Sequence, residues 1–163
     1  MSTTPVNKTQ AMVTYLLTCP SLANQVAYFN FSKAKDKNKQ IITNTNDTTL
    51  DKRYVDGSEL KRFTITLVDY RSIAYNPIVN ISGASNENVA DYIDVQAIVD
   101  WVEIQDSLRN YPNFGTDCAV DKIEALSVTP SLDSVDTTIS PALAKYSVTI
   151  RVTYLDMSKK LWK

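Results

Sequence analysis

The chain has 163 residues with 44% hydrophobic content and a formal net charge of −1, which suits one globular domain and gives no basic field for nucleic acid. It contains no histidine, which excludes Ser-His-Asp and Cys-His arrangements, imidazole metal sites and the usual neutral-pH general base. Its three glycines, Gly57, Gly83 and Gly115, build no phosphate cradle.

No run approaches the ~18 apolar residues of a membrane helix. Met1 to Pro5 carries no cationic segment leading into an apolar run, so synthesis in the cytoplasm without a secretory signal is expected. Cys19 and Cys118 are the only thiols; they read as two small apolar residues in a reduced compartment rather than a disulfide framework or a zinc site.

From the N-terminus, Asn7 to Cys19 reads as a helix. Ala11, Met12, Tyr15, Leu16 and Cys19 make an apolar stripe, and Pro20 ends it. Gln25 to Phe31 is a short strand candidate, with the Ala27, Phe29 and Phe31 side expected to meet the core. Ser32 to Asp51 is polar apart from Ile41, Ile42 and Leu50, and carries a comb of Lys33, Lys35, Lys37 and Lys39. In an isolated monomer such a segment buries little apolar area to offset its ordering entropy, so much of it is expected to be mobile. Two readings stay open: a solvated loop or extended hairpin, or an arm that orders against a partner subunit with Ile41-Ile42 as its anchor. No aromatic residues interleave with the lysines, as a single-strand nucleic-acid platform requires.

Lys52 to Ser58 joins a turn to a strand. Asp56-Gly57 is a turn signal, because Gly takes positive φ at no steric cost and Asp can bond its own backbone. Phe63, Ile65 and Leu67 then alternate with Thr64 and Thr66 as in a half-buried strand running to Tyr70. Arg71 to Ser85 reads as irregular. A long helix follows from about Glu87 to about Arg109, capped by Ser85 or Asn86, with Val89, Ile93, Ala97, Trp101, Ile104 and Leu108 descending one face. At ~1.5 Å per residue it spans about 33 Å, enough to cover one face of a sheet. Tyr111 to Gly115 is a connection, Lys122 to Val128 a strand, Thr129 to Ser140 polar, and Lys145 to Leu155 a long strand with Tyr146, Val148, Ile150, Val152 and Tyr154 on one side. Asp156 to Lys163 is a basic tail in which Leu161 and Trp162 suggest docking on this subunit or another.

The expected fold is therefore α+β, a mostly antiparallel sheet of about four strands with a C-terminal hairpin. A long amphipathic helix and an N-terminal helix cover it, and an arm protrudes. The chain is one domain, 1–163, with a polar arm at 32–51 and a tail at 156–163. Asp56 with Ser58 suggests a nucleophile and an orienting group, but no base stands at a recognisable spacing. Lys122 and Glu124 read as ordinary surface pairing. No metal-site spacing is present, and no cofactor is expected.

Four segments in order carry a resemblance: Lys52 to Ser58 with its strand to Leu67, Ala97 to Glu103 (AIVDWVE), Asp121 to Leu126 (DKIEAL), and Lys145 to Asp156 (KYSVTIRVTYLD). Together they resemble the tail-terminator-like minor capsid proteins of tailed phages of Gram-positive hosts, a family sometimes mislabelled as chloramphenicol resistance proteins. The resemblance implies a non-enzymatic virion protein at the head–tail junction. It would form a ring, hexameric in the family, that ends the tail tube and joins it to the head connector. Its partners would be copies of itself, the tube protein and the neck proteins, with DNA passing through the lumen unread and no membrane. The candidate contact residues are Lys33, Lys35, Lys37, Lys39, Ile41, Ile42, Tyr54, Asp56, Arg62, Leu161 and Trp162. The loop before Lys52 and the Ser127–Ala144 segment are longer than the family pattern. The alternatives are another head-completion, connector or tube protein of the same virion, or a host-type peptide- or sugar-binding module using the tyrosines.

Overall fold

A computed structural model describes residues 7–23, 27–30, 38–73, 87–140 and 142–161. In chain order these form α1 (Lys8–Leu16), α2 (Pro20–Ala23), β1 (Ala27–Phe29), β2 (Asn38–Arg53), β3 (Glu59–Ser72), α3 (Glu87–Ser107), β4 (Cys118–Ala125), β5 (Ser131–Asp136) and β6 (Leu143–Asp156). The sheet runs β1-β2-β3-β6-β4, with β5 also pairing β6. β1 pairs β2 in parallel, and every other pairing is antiparallel. This is the expected α+β arrangement, with α3 and the N-terminal helix packed on the sheet.

The core lies between one sheet face and the helices. Phe63, Ile65 and Leu67 of β3 point there with Val148, Ile150, Val152 and Tyr154 of β6, as their alternation requires. The β3–β6 ladder runs without a break from Glu59↔Asp156 to Ser72↔Leu143. On the opposite face Thr66 and Thr149 meet at 3.2 Å, and Arg151 bonds Glu124. Met12, Tyr15 and Leu16 of α1 and Cys19 after it are buried, and the Asn7 side chain caps α1 by accepting the Gln10 N–H. Both cysteines are free thiols.

Several expectations are corrected. Pro20 does not simply end the first helix; it opens α2, a first-turn position where its missing N–H costs no bond. Phe29 is half-exposed, where it was expected to meet the core. Residues 38–53 are a 16-residue strand rather than a mobile loop. Pairing with β3 satisfies the backbone of a segment too polar to build a core, with an irregularity between Thr43 and Thr48. Residues 38–51 of the arm thus form one strand of an extended hairpin, while 32–37 lie outside the described residues; the reading of an arm that orders against a partner subunit stays beside it. β3 runs on through Arg71 and Ser72, where irregular chain was expected. The polar Thr129–Ser140 stretch contains β5, whose side chains are all exposed. Phe31, Pro77, Gly83 and the Ser85/Asn86 cap lie outside the described residues.

The largest correction concerns α3. The face turned to the sheet carries Val95, Ile98, Val99 and Val102. Val89, Ile93, Ile104 and Leu108 of the expected stripe point outward instead, with Trp101 at its border tilted at 46° to Tyr15, 5.2 Å between ring centroids. Ion pairs accompany this orientation. Arg71 at the end of β3 pairs with Asp69 on its own strand and reaches across to Asp91 at 3.2 Å and to Asp94 on α3. At the other end, Arg109 takes φ 53°, and Asn110 N–H bonds the Gln105 carbonyl at 3.0 Å, a Schellman-type stop.

β4, the terminal strand, is guarded by side chains. Ile123 N–H donates to the Asp106 carboxylate at 2.9 Å, and Tyr111 OH donates to the Asp121 carbonyl at 2.9 Å. These bonds occupy backbone groups that another strand would otherwise use.

Candidate functional site

The β2–β3 hairpin ends in a turn built by Asp56. Its Oδ1 accepts Ser58 N–H at 3.0 Å and Ser58 Oγ–H at 2.6 Å, while Gly57 N–H donates to the Tyr54 carbonyl at 3.0 Å. Gly57 has φ 87°, where an L side chain is strained. The Lys52 ammonium lies 5.0 Å from the Tyr54 ring centroid. Val55 at the tip is 96% exposed.

Directly across the ladder, the end of β6 builds the same device. Asp156 Oδ1 accepts Ser158 N–H at 3.0 Å and Ser158 Oγ–H at 2.6 Å. The chain then folds back over the hairpin turn. Leu161 N–H donates to the Asp56 carbonyl at 2.8 Å, and Lys160 Nζ stands 3.4 Å from Asp56 Oδ2. The Lys159 carbonyl oxygen lies 2.4 Å from where a Cβ on Gly57 would sit. Only glycine permits this approach, for reasons of both φ and space.

Beneath the tail lies an ion network. Glu59 is buried and meets Arg53 at 2.6 Å, Lys61 at 2.8 Å and Lys159 at 3.4 Å. Lys61 bridges onward to Asp156 at 2.7 Å. Hydrogen bonds from Lys61 and Arg53 outweigh burial and hold the Glu59 carboxyl at about 2. For Asp156, burial pushes the pKa up, but bonds from Lys61 and Ser158 overcome it and leave it at about 2. Burial alone would lower the Lys61 pKa; its bonds to Asp156 and Glu59 raise it. The Ser58 hydroxyl is buried, and the bonds it makes lower the pKa of Asp56. A carboxylate so held is a poor base, and this pair does the work of a turn.

The structure therefore brings Tyr54, Asp56 and Leu161 together. A shallow groove of about 460 Å³ runs between Tyr54, Val55, Asp56, Ser58 and Leu155. Arg62 does not join them; it pairs with Asp51 inside the hairpin at 3.0 Å. Lys39, Ile41 and Ile42 lie along β2, opposite Asp69, Leu67 and Thr66. Lys33, Lys35, Lys37 and Trp162 lie outside the described residues. Lys122 and Glu124 pair at 2.6 Å on the surface, as their spacing implied.

Sequence reasoning missed Glu59, Lys61, Lys159 and Asp156. One signal was available, since Asp-x-Ser occurs at both 56–58 and 156–158. It also missed that the outward face of α3 is apolar.

Among the described residues, no group of three or more His, Cys, Asp or Glu is placed to hold a metal ion, and no helix is long and apolar enough to cross a membrane. No protein-family model matches this sequence, and no curated protein matches it either.

Proposed function

We propose that this chain is a structural subunit of a tailed-phage virion, which assembles with its own copies into a ring at the head–tail junction. There it ends the tail tube and meets the head connector. The observation that carries the reading is the hairpin tip. An ion network around the buried Glu59 and Asp156, together with a docked tail, anchors the hairpin turn while Val55, Tyr54 and Leu161 stay open to solvent. Exposed apolar side chains on an ordered support suit a surface for another protein. A mobile loop would have to lose entropy to bind.

The resemblance of four ordered segments to tail-terminator-like proteins supplies the kind of assembly. Two of them, Lys52–Leu67 and Lys145–Asp156, are partners in the β3–β6 ladder, so they form one body rather than scattered matches. The function is non-enzymatic, and DNA crosses the ring unread.

Electron microscopy of particles carrying a labelled subunit tests this. The expected result is label at the head–tail junction, and free heads with unjoined tails when the gene is deleted. Label along the tail or over the shell, or absence of the chain from purified particles, would overturn it.

A further inference from the structure

Among the described residues, the hairpin tip and the outward side of α3 both expose apolar side chains, and their surrounding charges are opposite. At the hairpin tip, Tyr54, Val55 and Leu161 are ringed by Lys52, Arg53, Lys61, Lys159 and Lys160, against Asp56, Glu59 and Asp156. Five cations against three carboxylates leave the tip at +2, and Glu59 and Asp156 are the buried members while Arg53 and Lys159 are well exposed.

On the outward side of α3, Val89 (49% exposed) and Ile93 (60%) near its start and Ile104 (55%) and Leu108 (68%) at and just past its end form two apolar clusters about 28 Å apart end to end, with the exposed Asp100 between them. Between Glu87 and Ser107 the helix has six carboxylates and no Lys or Arg, with the exposed Arg109 just beyond Leu108 as the one cation at that end. Asp91 and Asp94 turn to Arg71, and Asp106 is spent on β4. Asp100 and Glu103, exposed beside these clusters, make no ion pair with a described residue.

We infer that the tip of one copy docks on the outward side of α3 of a second copy. Val55 is so exposed that it touches almost nothing of its own chain. The anchor of α3, Arg71, stands twelve residues along β3 from Glu59 (71 − 59), about 40 Å at ~3.3 Å per residue, so the tip points away from its own helix start. Apolar surface meets apolar surface, and the lysines face Asp100 and Glu103. The two patches are different surfaces, so the contact is head-to-tail and repeats from copy to copy until it closes. Strand addition at β4 is not the route, because Asp106 and Tyr111 already hold its backbone. The proposal rests on the self-assembly reading above and names the surfaces that carry it.

The test is complementation by two variants, followed by sedimentation and native mass spectrometry. Val55→Asp spoils the tip and keeps the helix; Ile104→Asp spoils the helix and keeps the tip. Both positions are exposed, so circular dichroism and melting should match the wild type; Val55→Ser and Ile93→Ser stand in if either variant fails to fold. Each variant alone should associate at least ~10-fold more weakly than the wild type. An equal mixture should give a 1:1 dimer and nothing larger, since it contains one intact tip–helix contact. Variants that assemble like the wild type, or that fail alone and also fail to pair when mixed, overturn the interface and leave the ring reading standing. A wild type that stays monomeric overturns the self-assembly on which both depend.

Discussion

Gly57 shows how one residue couples two distant parts of the chain. Its positive φ sets the hairpin turn, and its missing side chain makes room for the Lys159 carbonyl. Gly57→Ala should therefore cost about 1 kcal/mol or more, beyond the usual effect of removing glycine's freedom. Amide exchange should show the 157–161 segment opening first; unchanged protection there would show that the tail does not depend on this contact. The Glu59–Lys61–Asp156 network gives a second expectation. Both carboxyls sit at about 2, below their ordinary values of 4.5 and 3.8. A depressed carboxylate adds stability that is complete above the unfolded value and fades as pH falls through the folded one. Melting temperature should hold steady above about pH 4.5 and fall toward pH 2, and Glu59→Gln should flatten that slope. The Asp56-Gly57 turn was legible in the sequence because its partners lie within two residues. The network was not, because Lys61 and Asp156 stand 95 residues apart and Lys159 and Glu59 stand 100 apart.

At the scale of elements, α3 shows where periodicity misleads. Apolar residues occur on both of its faces, Val95, Ile98, Val99 and Val102 on one and Val89, Ile93, Ile104 and Leu108 on the other. Spacing alone identifies two stripes without saying which meets the sheet. The observed rotation buries Val95, Ile98, Val99 and Val102 in the core and at the same time lets Arg71 pair with Asp91 and Asp94. Ile98→Ala should cost about 2–5 kcal/mol by opening a cavity, while Ile104→Ser should stay within about 0.5 kcal/mol in the monomer. Chemical denaturation of both variants checks this, and equal losses would contradict the assigned orientation. Strands β3 and β6 were readable because one face is buried along their whole length. β2 and β5 were not, since they are polar and owe their conformation to pairing with those two strands.

For the whole molecule, a single sheet carries helices on one face, and its longest ladder ends in an exposed tip tied down by the C-terminal tail. The tip and the outward side of α3 are both more apolar than a lone monomer needs. Their opposite charge is why we propose that they dock on one another across two copies. The central claim is that this chain assembles with itself into a closed ring. Native mass spectrometry over rising concentration tests it most directly. One closed stoichiometry is expected, six copies under the terminator reading, with no ladder of larger species. A strict monomer at every concentration, or an open-ended series of oligomers, would contradict it.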